Sequence, residues 1–204
     1  MKDEKAFLRD EMKRTLDEAR YEHTVGVAYT ACALAMRHGV DIDKAYIAGM
    51  LHDCAKCLSH EERLRICEEN DLSVSEVERE NPSLLHAKVG AHIARAKYGI
   101  NDVDILNAIT YHTTGRPGMG ILEQIIYLAD FIEPNRRPLR RMDEIRHLAF
   151  WDLDEAILIT TENILEYLEA TGKIVDEATH ETYEYYRAEA EKARMEAAGR
   201  EQHH

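Results

Sequence analysis

Six histidine and aspartate side chains stand on apolar helix faces or at helix ends, where each needs a polar partner. In chain order they are His23, His52, Asp53, His86, His112 and Asp130. Taken singly, each is most simply a hydrogen-bonded buried histidine or a capping carboxylate. Six together favour another explanation, because neutral imidazole and carboxylate both suit transition metals, and a shared cation site satisfies all of them at once. These residue types predict a metal centre.

Helical spacing aims these groups at the interior. His112 lies three and four residues after Ile109 and Ala108, so it shares their apolar face. Asp130 lies within the apolar run IIYLADFI, where an unpaired carboxylate is costly. We therefore expect both side chains to point inward, towards partners supplied by other helices.

The stretch AGMLHDCAKC admits a thiol pair, half of a zinc site or a polar helix end. A thioredoxin-like CxxC needs a βαβ context, which the helical pattern lacks, and no second cysteine pair completes a zinc knuckle. We interpret the stretch as HD-x-x-K: His52 and Asp53 are ligands, Lys56 projects from the same helix end, and Cys54 and Cys57 are small packing residues.

Nearly every segment of the chain has helical periodicity. We predict an all-α protein, a helical bundle with roughly nine helices. They are expected at 4–19, 21–37, 42–53, 59–69, 84–97, 102–112, over ILEQIIYLADFIEP, at 152–170 and at 176–198. The run ILEQIIYLADFIEP is apolar on nearly all sides, which is typical of a central buried helix.

Composition bounds the class of protein. With 204 residues, 45% of them hydrophobic, the chain can bury a core, and we expect one domain over 1–204. Its metal-binding core would span about 20–135, with helices at about 152–198 packed on it. The formal charge of −13 argues against nucleic acid or membrane surfaces as partners. Without a bilayer-length apolar run or a secreted-type cysteine framework, we expect a cytoplasmic protein.

The order of the candidate ligands resembles a known superfamily. The pattern H…HD…D at His23, His52, Asp53 and Asp130 resembles the HD superfamily of metal-dependent phosphohydrolases. The segments YEHTVGVA, LHDCAK, LLHAKVGAHIA, NAITYHTTGR and IIYLADFIEPNR resemble more specifically the YqeK family, the symmetrical bis(5′-nucleosyl)-tetraphosphatases of bacteria. The resemblance covers about residues 20–170 and implies that the all-α protein is an HD-domain helical bundle. Cys54 and His92 depart from it, standing where a tyrosine or similar residue is expected, and neither is a ligand position.

The resemblance implies a division of the ligands between two divalent or mixed-valence metal ions. One ion would be held by His23, His52, Asp53 and Asp130. The second would be held by His86 and His112, with Asp53 bridging both. Six ligands also exceed what one catalytic ion with open positions takes. The resemblance suggests iron, whereas ligand type alone admits manganese, cobalt, nickel or zinc equally well.

Such a centre would hydrolyse a polyphosphate. Two ions can hold a hydroxide that attacks a phosphorus atom flanking the central bridge of diadenosine tetraphosphate, which releases two ADP molecules. The substrate, a dinucleoside polyphosphate or the nucleoside diphosphate it yields, needs cationic contacts. The expected catalytic residues are Asp53, Lys56 and Arg116. The expected substrate contacts are Lys56, Thr114, Gly115, Arg116, Glu133 and Arg136.

Three features are left open by the sequence. Arg137, Arg140 and Arg141 in NRRPLRR either bind phosphate or form a solvated loop. Candidates for stacking on a base are aromatic residues that equally fit a core: Tyr111, Tyr127 and Phe131. The apolar faces of the C-terminal helices, including Ile157, Ile164, Tyr167 and Tyr186, either close the core or support a homodimer.

Two other functions compete with symmetrical tetraphosphate hydrolysis. The first is an HD phosphohydrolase of another nucleotide, such as a deoxynucleotide or a cyclic dinucleotide, because the ligands alone do not select a substrate. The second is a regulatory module that binds a nucleotide and a metal without turnover. A lost ligand would mark that module, and none of the six is missing from this sequence.

Overall fold

A computed structural model describes the backbone of residues 2–201 and the side chains of residues 4–196. The extreme ends of the expected 1–204 domain lie outside these ranges, and the single-domain boundary stays a prediction. Within the described residues the chain forms eleven α-helices and no strand, which confirms the all-α prediction. The helices are α1 Lys2–Thr15, α2 Glu18–His38, α3 Ile42–Leu51, α4 His60–Glu69, α5 Glu76–Glu80, α6 Leu85–Ala96, α7 Val103–Tyr111, α8 Ile121–Ile132, α9 Met142–Leu148, α10 Leu153–Ala170 and α11 Glu177–Glu201.

The expected count of roughly nine helices is too low by two short ones, α5 and α9. Helix α5 is stabilised by a reciprocal cap: Ser75 Oγ accepts from the Glu78 backbone, and the Glu78 carboxylate accepts from the Ser75 backbone. Helix α9 directly follows the arginine-rich segment and buries Met142 and Ile145. Both are too short for periodicity to reveal, so only capping or tertiary packing identifies them.

Helix α8 is the centre of the bundle, as its apolar sequence predicts. Its side chains Ile125, Ile126 and Leu128 are fully buried. Helices α2, α3, α7 and α10 all pack against it. Each of these helices therefore faces α8. This arrangement brings polar groups from distant parts of the chain to the C-terminal end of α8.

Helices α2 and α3 pack closely through small side chains. A Cβ atom built on Gly49 of α3 would lie 2.7 Å from the Ala28 Cα atom of α2. Only a glycine permits this approach, since real Cβ atoms do not come so near to a backbone. The close packing places the end of α3 beside the middle of α2.

The C-terminal helices pack on this core, as expected. Helix α10 contacts α8, α9 and α11, and Ile157 of α10 is fully buried. Tyr186 of α11 is also buried, and its hydroxyl accepts a hydrogen bond from Gln124 Nε2 at 3.2 Å. These residues close the core, so the homodimer stays a prediction. No helix among the described residues is both long and apolar enough to span a membrane.

Candidate metal centre

Five helices deliver the six candidate ligands to one place. His23 comes from α2, His52 and Asp53 follow α3 directly, His86 lies in α6, His112 follows α7, and Asp130 lies in α8. All are buried except Asp130, whose side chain is 21% exposed. The convergence that the sequence predicts is present.

Asp53 is the hub of the centre, and its two carboxylate oxygens face different histidines. Its Oδ1 lies 3.2 Å from His86 Nε2 and 3.6 Å from His112 Nε2. Its Oδ2 lies 3.6 Å from His52 Nε2. The Nε2 atoms of His86 and His112 are 3.1 Å apart. A carboxylate with one oxygen towards each group of imidazoles is suited to bridge two cations.

Asp130 joins the ligands on the other side. Its Oδ1 lies 2.9 Å from His23 Nε2 and 3.9 Å from His52 Nε2. Ligand atoms about 2.1 Å from a tetrahedral ion are separated by about 3.4 Å from one another. The separations among the six groups are close to that value, so the cluster has the dimensions of ligands around a shared ion.

The far ring nitrogens fix the tautomer of each histidine. The Nδ1 atoms of His52, His86 and His112 lie 2.7, 2.5 and 2.7 Å from the backbone carbonyl oxygens of residues 49, 83 and 109. His23 Nδ1 lies 3.1 Å from Glu133 Oε1. Because these oxygens only accept hydrogen bonds, each Nδ1 carries the proton. Each Nε2 therefore presents a lone pair to the centre, as a metal ligand must.

Two of these ring nitrogens and one carboxylate oxygen lack protein donors in a way that fits a divalent metal. His23 Nε2, His52 Nε2 and Asp53 Oδ1 are buried without a hydrogen-bond partner among the described residues. Two overlapping triples could each hold an ion, His23–His52–Asp130 and His52–Asp53–His112. Buried acceptors without donors are costly, and a cation satisfies them together. The residues present therefore fit the metal.

Electrostatics keeps the ligands in their metal-binding protonation states. Burial lowers the pKa of His52 and of His86 to about 4, so both rings are neutral. Burial by itself would raise the pKa of Asp53, but the neighbouring imidazoles and Lys56 outweigh it and hold that pKa well below 3.8. Burial would likewise raise the pKa of Asp130, but the contacts with the His23 and His52 rings and the Arg136 guanidinium outweigh it, so that pKa is low.

Cationic side chains surround the same atoms. Arg20 Nη1 lies 2.7 Å from Asp53 Oδ2, and Arg136 Nη2 lies 2.5 Å from Asp130 Oδ1. Lys56 Nζ lies 3.0 Å from His86 Nε2, and burial lowers its pKa despite the nearby carboxylates. Lys56 and Arg136 thus stand where the sequence predicts them, at the rim of the centre. Positive charge accumulates here in an otherwise acidic protein.

A cavity of about 410 Å³ opens beside His23. We call it the arginine cavity, since Arg20, Arg136 and Arg137 all line it, together with Leu139. Guanidinium matches phosphate oxygens in geometry and charge, but Arg20 and Arg136 are paired with Asp53 and Asp130, and carboxylates of Asp17 and Glu22 line the same cavity, so phosphate binding here stays a prediction. Arg137 was left open by the sequence, and its position favours phosphate contact.

Glu133 is placed differently from its expected role in substrate binding. It is 1% exposed and has both carboxylate oxygens occupied by the protein. Oε1 faces His23 Nδ1, and Oε2 accepts from the Asn135 backbone at 2.7 Å. The carboxylate also packs directly against Gly26. Glu133 therefore orients a ligand from behind, and its role in substrate binding stays a prediction.

The segment after His112 turns towards α11. Thr182 Oγ1 donates to the Thr114 backbone oxygen at 3.0 Å, and a Cβ on Gly115 would lie 2.7 Å from Thr182 Cγ2. Arg116 forms a two-pronged ion pair with Glu123, at 2.8 and 2.7 Å. Among the described residues, Arg116 has no hydrogen bond or ion pair with a candidate ligand. Roles for Thr114, Gly115 and Arg116 in substrate binding stay predictions.

Sequence reasoning missed two residues of the centre. Thr113 Oγ1 lies 3.2 Å from the Nε2 atoms of both His86 and His112. Arg20 contacts Asp53, as described above. Arg20 lies one turn before His23 on α2, so helical spacing could have indicated it. Thr113 gives no such signal, because it lies beyond the end of α7.

The cysteines of the CxxC stretch are not a matched pair. Burial raises the pKa of the Cys54 thiol to about 12, and its sulfur contacts the Gly90 backbone oxygen at 3.5 Å, as expected of a packing residue. Cys57 is exposed instead, with its sulfur 3.6 Å from Asp17 Oδ2. The packing interpretation is therefore wrong for Cys57. The turn after α3 carries it outward.

An all-helical fold around buried histidines and aspartates defines a class of metal-binding protein. The HD domain family model matches residues 20–135. HD domains bind divalent metals, and the clusters described above could hold them. The chain is 44% identical over 174 residues, 85% of its length, to a "Bis(5'-nucleosyl)-tetraphosphatase, symmetrical" of Bacillus subtilis, and covers 92% of that relative.

Two further comparisons agree. A protein of the same name from Staphylococcus aureus is 35% identical over 176 residues, 85% of this chain and 90% of the relative. A crystal structure from Clostridium acetobutylicum, described as a predicted HD superfamily hydrolase involved in NAD metabolism, superposes with a TM-score of 0.87. The two sequences are 39% identical, and the superposition covers 90% of this chain and 97% of the other chain. The chain belongs to the HD domain family, in the branch of the symmetrical bis(5′-nucleosyl)-tetraphosphatases.

Proposed function

We propose that this protein is a metal-dependent phosphohydrolase that cleaves diadenosine tetraphosphate and related dinucleoside polyphosphates symmetrically, so that diadenosine tetraphosphate yields two ADP molecules. The observation that carries the proposal is the set of four imidazole Nε2 lone pairs directed at Asp53 and Asp130. That set supports phosphohydrolase chemistry, and the substrate comes from the names of relatives that match about 85% of the chain.

We propose further that the centre holds two ions and that they are iron. Asp53 supports the count, since its Oδ1 faces His86 and His112 while its Oδ2 faces His52. One ion would take His23, His52, Asp53 and Asp130, and the other His86, His112 and Asp53. The choice of iron rests on the family resemblance, because nitrogen and oxygen ligands also accept manganese, cobalt, nickel or zinc.

The side chains around the metal centre would bind the polyphosphate and orient the metal ligands. When bound, divalent ions supply Lewis acidity to water and to phosphate oxygens. Arg136 and Arg137 hold the polyphosphate in the arginine cavity, and Lys56 offers a further ammonium at the rim. Arg20 fixes the orientation of Asp53. A nucleoside diphosphate leaves readily, so a centre whose carboxylates are ionised needs no protonated acid.

A product assay with a nucleotide panel tests the proposal. The full-length protein is loaded separately with Fe²⁺, Mn²⁺, Co²⁺, Ni²⁺ and Zn²⁺. Each form is incubated with diadenosine tetraphosphate, deoxynucleoside triphosphates and a cyclic dinucleotide. We expect ADP as the sole product from diadenosine tetraphosphate and slower turnover of the others. Release of AMP with ATP would overturn the symmetrical position of cleavage, and preference for another nucleotide would replace the proposed substrate. Absence of any hydrolysis would favour the regulatory alternative.

Two variants distinguish a two-ion centre from a single ion. Because Asp53 would contact both ions, Asp53→Ala should lose hydrolysis and both metal equivalents. Because His112 would contact one ion, His112→Ala should keep about half of the metal and little activity. Metal per chain is measured by mass spectrometry of the purified variants, after circular dichroism shows native helix content. Full metal occupancy in His112→Ala contradicts the two-ion scheme.

A further inference from the structure

A second cavity, of about 480 Å³, shares Leu139 with the arginine cavity. Phe131 of α8 and Ile164, Tyr167 and Ala170 of α10 give it mostly apolar walls. We call it the aromatic cavity. Its volume lies in the range of about 300–1,000 Å³ that is usual for small-molecule sites. It is therefore large enough for a heterocyclic ring system.

Segment 138–141 closes one side of the aromatic cavity and is tied to α10. The side-chain amide of Asn163 donates from Nδ2 to the Arg140 backbone oxygen at 2.7 Å. The Arg140 guanidinium forms an ion pair with Glu166. These contacts decide between the two interpretations of Arg140. It supports a cavity wall through α10 and does not point at the metal centre.

Asn163 is the polar group of the cavity that lacks a full set of partners. Since Nδ2 donates to the Arg140 carbonyl oxygen, the orientation of the amide is determined, and Oδ1 must be the acceptor. This Oδ1 is buried, and none of the described residues donates to it. A buried acceptor without a donor is costly unless a ligand supplies the donor. Asn163 is itself one of the residues that line the aromatic cavity.

Two aromatic rings flank this acceptor. Phe131 is half-buried, and Tyr167 is 56% exposed despite its size. Lys173 Nζ lies over the Tyr167 ring, 5.0 Å from its centroid, and also reaches its hydroxyl at 3.2 Å. The lysine thus positions the ring and occupies one face of it. Aromatic faces beside an amide acceptor are the groups that proteins use to bind an unpaired nucleobase.

The aromatic cavity is adjacent to the metal centre through helix α8. Phe131 follows Asp130, and consecutive helical residues are rotated by about 100°. Asp130 faces the metal ligands while Phe131 faces α10. Leu139 lines both cavities. A nucleotide with its phosphates in the arginine cavity can therefore place its base beyond Leu139, in the aromatic cavity.

We infer that the aromatic cavity binds one nucleobase of the substrate, with its ring against Phe131 and Tyr167 and an exocyclic amino group on Asn163 Oδ1. This inference rests on the proposed function, which brings the phosphates to the metal centre. It also predicts base preference. Adenine carries an exocyclic amino group at this kind of edge, whereas hypoxanthine has the same purine shape with a carbonyl oxygen there. Adenine is accepted and hypoxanthine is disfavoured.

Calorimetric titration of the metal-loaded protein with ADP, IDP and inorganic pyrophosphate tests the inference. Tyr167→Ala should weaken ADP binding by about 5- to 100-fold, the range for loss of one base–aromatic stack. It should leave pyrophosphate binding unchanged, because pyrophosphate has no base. Asn163→Ala should abolish the preference for ADP over IDP. Tyr29→Ala is the matched control: its ring is 54% exposed, and it lines neither cavity.

The outcomes separate this inference from the proposed function. Unchanged ADP affinity in Tyr167→Ala, or an equal loss of ADP and pyrophosphate binding, overturns the aromatic cavity as a base site. Equal binding of ADP and IDP by the unmodified protein overturns the role of Asn163. If the ADP dependences hold while diadenosine tetraphosphate is not hydrolysed, the base site stands and the proposed function fails. If Tyr167→Ala hydrolyses diadenosine tetraphosphate and binds ADP as well as the unmodified protein does, the proposed function stands and the base site fails.

Discussion

The protons on the imidazole rings decide whether this centre can bind a cation. Three ligand histidines donate Nδ1–H to a backbone carbonyl, whereas His23 donates to the Glu133 carboxylate. Backbone carbonyls are held rigidly by helices, so they fix ring orientation without adding charge. The carboxylate behind His23 adds a full negative charge, which makes that ring the more basic ligand. Glu133 thus acts on the metal through His23.

Replacing Glu133 by glutamine should weaken metal binding at the His23 side. A glutamine has one acceptor oxygen, so it cannot serve both His23 Nδ1 and the Asn135 backbone as the carboxylate does. We expect metal affinity to fall by about 10- to 100-fold, the range found for outer partners of metal ligands. Competition with a metal-binding dye measures it.

A second substitution distinguishes the contact that Glu133 makes with His23 from the negative charge of its carboxylate. In Gly26→Ala the new Cβ would overlap the Glu133 carboxylate and displace it, although its charge is kept. The metal affinity should fall in this variant as well. Wild-type affinity in Glu133→Gln, with native helix content, would show that Glu133 serves the fold alone.

At the scale of helices, the C-terminal ends of three helices lie at the metal centre. His52 and His112 cap the C-termini of α3 and α7, and Asp130 lies in the last turn of α8. A helix C-terminus carries a partial negative charge from its unpaired carbonyl groups, which favours nearby cations. Three such ends therefore add to the attraction of the ligands for metal ions. The approach of α3 to α2 through Gly49 makes this arrangement possible.

Gly49→Ala should destabilise the protein, although alanine is the better helix former. The added Cβ would lie 2.7 Å from the Ala28 backbone, which cannot move aside as a side chain can. Forced packing costs about 1–3 kcal/mol, against a gain of about 1 kcal/mol in helix propensity. We expect a net loss of up to about 2 kcal/mol in the free energy of unfolding, measured by urea denaturation.

Gly90→Ala in α6 is the matched control for this helix contact. Its Cβ would meet its nearest atoms at 3.5 Å, an ordinary van der Waals distance. The same substitution in the same kind of helix should therefore be neutral or stabilising by up to about 1 kcal/mol. Equal effects at the two positions would contradict the packing argument.

For the whole molecule, the metal centre is also a joint between helices. Its ligands come from α2, the end of α3, α6, the end of α7 and α8, which are far apart in the chain. The unfolded chain cannot hold them together, so the folded state alone binds metal tightly. Binding energy at the centre is therefore added to the stability of the fold.

Metal loading should raise the melting temperature of the protein. At a free metal concentration 100 times the Kd, the stabilisation is about 2.7 kcal/mol, which for a chain of this size is about 5–10 °C. Differential scanning calorimetry with and without a chelator measures the shift. Asp53→Ala should show little shift, because it lacks the shared ligand. An equal shift in this variant would place the stabilising ions elsewhere.

Local patterns were enough to identify most of the architecture and all six candidate ligands that the fold brings together. Helical periodicity depends on each segment alone, so nine long helices were predictable, while α5 and α9 were too short to show it. The ligands were predictable because a buried histidine or aspartate needs a partner wherever it lies. The central position of α8 was predictable as well, because its sequence is apolar on nearly all sides.

What local patterns did not decide is which side chains meet across helices. Lys56 and Arg136 reach the ligands as expected, whereas Arg116 pairs with Glu123 and Glu133 turns behind His23. Asn163 and the aromatic cavity arise only where α8, α10 and segment 138–141 pack together. Spacing along a chain determines the face of a helix on which a residue lies, but the partner facing it depends on how separate helices pack in three dimensions.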